Sequence, residues 1–262
     1  EARPRSGFYV CPRRSEGAVL QRSAPPPAPA AVTSQGITME IVRASGRPGV
    51  LQLGTAVPEA SFLPLDAVQR ALAAAMRRHR RDALAYAFPP GVAALREVVA
   101  ERLAEGGCRP DPSEVLVTAG TQEATQLALR VVTEPGDVVA VESPTYYGLL
   151  QVIESLGLEA LEIPTDPRRG IDLQAFARAL DRWPIRALAL VPHCSNPTGY
   201  VMAEADRRAL VELCTARGVP IIEDDVYAGL AVEADGSGLR PRALRAVDAE
   251  QVRERRVRVD RD

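Results

Sequence analysis

Between residues 113 and 227, short apolar runs alternate with segments of helical periodicity, and this alternation limits the fold more than any other feature. "SEVLVTAG" leads into "TQEATQLALRVV", and "GDVVAVES" into "YYGLLQVIESLG". "LEALEIP" precedes "DLQAFARALDRW", "IRALALVP" precedes "AEADRRALVELCTARG", and "VPIIEDDVY" closes the series. Strands that are apolar at nearly every position must be covered on both faces. The pattern therefore predicts an α/β fold, a mainly parallel sheet sandwiched by helices. Ligands of such sheets bind beyond the carboxyl ends of the strands, so the polar residues found there are the ones to weigh.

Upstream, "PLDAVQRALAAAMRRHR" (64–80) places Leu65, Val68, Leu72 and Met76 at helical spacing. A second helix is predicted over 91–107, stopped by a glycine pair. Residues 12–36 are rich in Pro, Ala and Ser without periodicity, and Pro25-Pro26-Pro27-Ala28-Pro29 predicts an extended, semi-rigid linker. The domain organisation read from this is 1–11 as a separate remnant, 12–36 as linker and 37–262 as the α/β domain.

A formal net charge of −2 gives no overall attraction to nucleic acid or anionic lipid. No apolar run is long enough to span a bilayer, and "EARPRSGFYV" lacks the build of a secretion signal. The chain reads as cytoplasmic, with no membrane partner. Cys11, Cys108, Cys194 and Cys214 are too scattered for a zinc site and read as reduced thiols, so no metal is expected. All 32 cationic Lys and Arg positions are arginine; the chain has no lysine.

Four strand ends carry unusual residues. Gly120, Thr121 and Gln122 open a helix directly after "VLVT", where free amides and a hydroxyl suit a phosphate, or simply cap the helix. Tyr146 follows "VVAVESPT" and offers an aromatic face, or ordinary packing. Asn196 lies in the turn sequence "SNPTG" beyond "ALALVP". Asp224 ends a buried strand, where an unpaired carboxylate is costly and a cationic partner would account for it; Tyr227 follows closely. Together these groups describe a planar, phosphorylated ligand with a basic ring nitrogen and a phenolic oxygen: pyridoxal 5′-phosphate.

The motifs "AYAFPPGVAALRE", "VTAGTQEA", "VESPTYYGLL", "SNPTG" and "EDDVY", in that order, resemble the fold-type-I, pyridoxal-phosphate-dependent aminotransferases of class I/II. The resemblance implies the large domain of that fold. It implies Gly120, Thr121 and Gln122 at the cofactor phosphate, Tyr146 stacked on the ring and Asp224 at the ring nitrogen. Asn196 and Tyr227 would bond the ring 3-oxygen, and Tyr86 would reach the phosphate of a partner subunit in a homodimer. "RPRSGFYV" ahead of a Pro-rich linker, with "LQLGTAVPEASFLP" and "SPTYYGLLQVIESLGLEALEIPTDP", is more narrowly similar to MocR-type regulators of the GntR superfamily. That similarity implies DNA as a partner, bound through a winged helix-turn-helix of which residues 1–11 keep the wing, and an amino acid or other small amino compound as ligand.

The chain departs from the family in one decisive respect. The lysine that joins the cofactor aldehyde is expected shortly after "EDDVY", and none is present, so no residue is assigned a catalytic role. The tail "EQVRERRVRVDRD" also lacks the apolar strand expected there and reads as a truncated or frame-shifted end. The regulator reading leads. A metabolic aminotransferase acting on an amino acid and a 2-oxo acid is the alternative, and a lysine-free interaction module a third. A dinucleotide-binding dehydrogenase is disfavoured because no GxGxxG follows the first strand.

Overall fold

The computed structural model describes residues 2–3, 7–8, 21–33, 40, 43–44, 60–231 and 241–248. Cys11, most of the motif "LQLGTAVPEASFLP" and the tail beyond 248 lie outside the described residues.

Four strands carry the architecture: β4 (Val138–Ser143), β5 (Glu159–Asp166), β7 (Ile185–Leu190) and β8 (Ile221–Glu223). They run parallel in the order β5-β4-β7-β8. Two short strands flank β5, both antiparallel to it: β3 (Ala30–Ala31) along its outer edge and β6 (Gly170–Ile171) at its end. A separate small ribbon pairs β1 (Ala2–Arg3) with β2 (Gly7–Phe8).

The period of two in a strand decides which helix covers which face. Val138 and Ala140 of β4, Leu161 and Ile163 of β5, and Leu188 and Leu190 of β7 face one way. They pack on Phe176 of α5 (Leu173–Arg182) and on Leu210, Val211 and Cys214 of α6 (Glu204–Arg217). The intervening Val139, Val141, Ala160, Ala187 and Ala189 meet Leu129 of α3 (Thr121–Val132) and Leu149, Val152 and Ile153 of α4 (Tyr147–Ser155). All six residues of β4 are buried, as expected for the centre of a sheet covered on both sides. The predicted α/β layering is therefore present, and it aims the carboxyl ends of β4, β7 and β8 at one edge.

Two expectations fare differently. The helices α1 (Leu65–Arg78) and α2 (Ala93–Glu105) form where periodicity placed them. Leu65, Val68, Leu72 and Met76 nevertheless stay exposed, so the apolar stripe of α1 is uncovered among the described residues. The run "VLVT" is not a strand. Asp111 caps a short turn over Pro112–Glu114, accepting the Ser113 N–H at 2.8 Å, and Val117 N–H donates to Pro90 at 2.9 Å. Branched residues favour an extended chain, but a strand also needs a neighbour to take its backbone bonds. Among the described residues no strand pairs with it, and Pro90 takes a single bond.

Phe176 is fully buried between α5 and the sheet. Phe176→Ala is expected to cost about 3–5 kcal/mol through lost contact and a residual cavity, seen as a lower midpoint in urea unfolding. A midpoint equal to that of the unaltered chain would show that this face of the sheet does not hold the fold together.

Candidate functional site

A cleft opens at the carboxyl edge of the sheet, lined by Thr121, Gln122, Tyr146, Leu190, Val191 and Asp224 among others. These residues come from four separate stretches of chain: the start of α3, the turn before α4, and the ends of β7 and β8.

Gly120 sits before α3 at φ 112°, a conformation that L side chains rarely adopt, and no side chain caps the helix. Glu123 accepts the Ala119 N–H at 2.6 Å, while the amides of Gly120, Thr121 and Gln122 meet no acceptor among the described residues. Free amides at the positive end of a helix favour an anion. Gly148 shows how closely the aromatic side is built. A Cβ there would run into the Tyr146 ring and lie 2.6 Å from Gln122 Nε2. Glycine at 148 therefore lets Tyr146 lie down over the start of α4, beside Gln122.

Asp224 is held by its own backbone, its N–H donating to Leu190 O at 3.0 Å. Its carboxylate accepts only a long bond, 3.3 Å from the Val226 N–H, and no cationic side chain reaches it among the described residues. Burial, with a smaller push from Asp225, raises its pKa above the usual carboxylate range. A half-buried carboxylate in that state is suited to a cationic ligand atom. The Tyr146 phenol is raised as well, by burial first, then by Tyr147, with smaller contributions from Tyr227 and Asp224. Those influences place Tyr146, Tyr227 and Asp224 within one electrostatic neighbourhood.

Of the residues singled out in the sequence, Thr121, Gln122, Tyr146 and Asp224 thus share the cleft, with Gly120 at its rim and Tyr227 nearby. Asn196 stands apart from the lining, half-buried in the loop that follows β7. That loop is closed by Ser195 N–H to Tyr200 O at 3.0 Å and Met202 N–H to Pro192 O at 2.9 Å. Tyr86 is 92% exposed between α1 and α2, far from enclosure by this chain.

Beneath the cleft lie polar groups that the sequence reading passed over. Glu142, on central β4, is buried and accepts the Val191 N–H at 3.0 Å and the Tyr200 hydroxyl. His193 is fully buried with Nδ1 2.5 Å from Asp225, and Glu223 completes a cluster whose ligand-type atoms lie within 4.8 Å of one another. The signal for Glu142 was available: a single charge in an otherwise apolar strand needs partners. Cys108, Cys194 and Cys214 are free thiols.

Burial is the main cause that lifts both Glu142 and Glu223 from 4.5 to about 7. A carboxyl raised in the folded state adds stability below its unfolded pKa and loses it as pH rises through the folded value. The chain should therefore lose stability between about pH 4.5 and about 7 from these two groups. Glu142→Gln, which stays neutral, should flatten part of that decline in urea midpoints measured across the window. A variant whose midpoints fall as steeply as those of the unaltered chain would remove Glu142 from the account.

The family model for aminotransferase class I and II matches residues 51–250. The HTH-type transcriptional regulator YjiR of Escherichia coli K12 is 34% identical over 245 residues, covering 94% of this chain and 51% of its own length. YdcR, another HTH-type regulator of that strain, is 38% identical over 233 residues, covering 87% and 49%. The chain thus spans about half the length of these relatives. LysN, the α-aminoadipate aminotransferase of Thermus thermophilus, was solved with N-(5′-phosphopyridoxyl)-L-leucine. It is 34% identical, with a TM-score of 0.60 over 66% of this chain and 43% of that one. With a family match over most of its length, the chain belongs to the aminotransferase class I and II family.

Proposed function

We propose that the chain is the pyridoxal 5′-phosphate-binding, aminotransferase-like domain of a MocR/GntR-type transcriptional regulator. The observation that carries this reading is the meeting of three complementary groups at one sheet edge: the open amides before α3, the Tyr146 ring, and a half-buried Asp224 with no cation beside it among the described residues. When bound, the cofactor supplies an aldehyde that receives amino compounds and a ring that accepts electrons. Gly120, Thr121 and Gln122 hold its phosphate, Tyr146 covers the ring, and Asp224 keeps the ring nitrogen protonated. Asn196 and Tyr227 take the ring 3-oxygen. The exposed Tyr86 serves the partner subunit's site in a homodimer. No lysine is present for a covalent link, so this chain holds the cofactor through these contacts alone.

The regulator half of the reading is supported by the similarity to YjiR and YdcR, and the β1–β2 ribbon is read as the wing of a winged helix. On this reading the protein is cytoplasmic, meets DNA through that upstream domain, and senses an amino acid or related amine. Among the described residues no helix is long and apolar enough to cross a membrane. The similarity to LysN supports a second reading, a metabolic aminotransferase working on an amino acid and a 2-oxo acid.

Titration with pyridoxal 5′-phosphate, followed by absorbance and by quenching of the single tryptophan, tests the site. Asp224→Ala removes a charge-assisted contact worth about 1.5–3 kcal/mol and should weaken binding about 10- to 100-fold. Pyridoxal, without the phosphate, should bind more weakly than the phosphorylated form. Equal affinity of the Asp224→Ala variant, or of pyridoxal, would refute the assignment. For the regulator reading, the gene upstream of Glu1 should encode a helix-turn-helix; an unrelated reading frame there would favour the metabolic alternative.

A further inference from the structure

The Pro-rich segment is tied down at two points rather than loose. At one end, Arg22 reaches Asp166 at 3.1 Å and Asp172 at 3.6 Å. Next to it, Ser23 N–H donates to Thr165 O at 3.3 Å, and Thr165 N–H donates to Ser23 Oγ at 2.9 Å. At the other end β3 pairs with β5, Ala30 opposite Ala160 and Ala31 opposite Glu159. Between them Pro25, Pro26 and Pro27 lie along β5 and α5, near Ala179 and Trp183, with no N–H to donate. A segment fastened by few bonds at its ends can detach as a unit while the sheet stays intact.

Thr165 is the hinge of the arrangement. It is buried, and while its backbone binds Ser23, its Oγ1 accepts the Ser143 N–H at 3.1 Å and donates to Ile163 O at 3.1 Å. Ser143 ends β4, and its own hydroxyl donates to Glu162 at 2.5 Å. Pro144 and Thr145 then lead directly to Tyr146 in the cleft. One residue thus fixes the linker with its main chain and the strand end that positions Tyr146 with its side chain.

We propose that the outer edge of β5 is a docking site for the chain's own linker, and that Thr165 couples docking of the linker to occupancy of the cleft. The coupling rests on the reading of that cleft as the pyridoxal 5′-phosphate site. A ligand that orders Ser143–Tyr146 also orders Thr165, which favours the docked linker; by linkage, a docked linker strengthens ligand binding. An N-terminal domain carried on this linker would be held closer to the sheet in the liganded state and released on a longer tether without ligand.

The test is hydrogen exchange of the full chain, with pyridoxal 5′-phosphate as the probe. Amides of Ser23, Ala30 and Ala31 should exchange more slowly when the cofactor is bound. The double variant Arg22→Ala with Ser23→Ala touches no cleft residue, yet should weaken cofactor binding about fivefold and abolish that slowing. Thr165→Val keeps the backbone clasp but breaks the Ser143 link, so the linker should remain protected and lose its response to cofactor. Linker exchange unaffected by bound cofactor, with unchanged affinity in the double variant, overturns the proposal. If the unaltered chain binds no cofactor, the reading of the cleft fails by itself. The clasp is then judged in the free chain, where the double variant must speed exchange at Ser143–Tyr147; unchanged exchange there overturns it as well.

Discussion

The structure depends on β4 being buried on both faces. Its side chains alternate between the α5–α6 layer and the α3–α4 layer, so the strand cannot shift by one residue without moving every contact to the wrong side. With β4 fixed, the parallel registers of β5 and β7 follow, and β8 aligns on β7. The cleft is a product of that alignment. Thr121, Tyr146, Leu190 and Asp224 belong to four separate stretches of chain, and only the common direction of the strands brings them to one edge.

Much of this was legible from residue order alone. The strands β4, β5, β7 and β8 and the helices α1 to α6 follow from apolar period and glycine or proline stops, because those signals are local. Thr121, Gln122, Tyr146 and Asp224 were legible for a related reason: each stands where a buried strand or helix meets solvent. What escaped depended on distant partners. "VLVT" has every mark of a strand, yet Leu116 is 52% exposed because pairing is a property of two segments. Glu142 meets Tyr200 across a separation of 58 residues, which no periodicity reveals. The strand β3 is two residues long inside a Pro-rich stretch, and only the free edge of β5 makes it one.

The acids under the cleft show how such a site is supported. Glu142 satisfies the Val191 amide just after β7, and Glu223 takes the Leu244 N–H at 2.9 Å, joining the 241–248 segment to the end of β8. Glu142 is buried and Glu223 partly so, and their preference for the neutral form is a cost of placing acceptors where the loops need them. His193 and Asp225 work similarly on the loop that carries Asn196. The cleft thus rests on polar contacts behind its walls as well as on the residues that line it.

The clasp on β5 also has a consequence for the order in which the chain assembles. Short helical crossovers link the parallel strands, joining the neighbours β4 and β5 and the neighbours β7 and β8 and carrying the chain from β5 over β4 to β7. The bond between Ser23 and Thr165 instead closes a loop of 142 residues and gains little until β5 is already in place. The N-terminal segment is made first and settles last. During synthesis, whatever precedes it is free to fold independently before it is drawn onto the finished sheet.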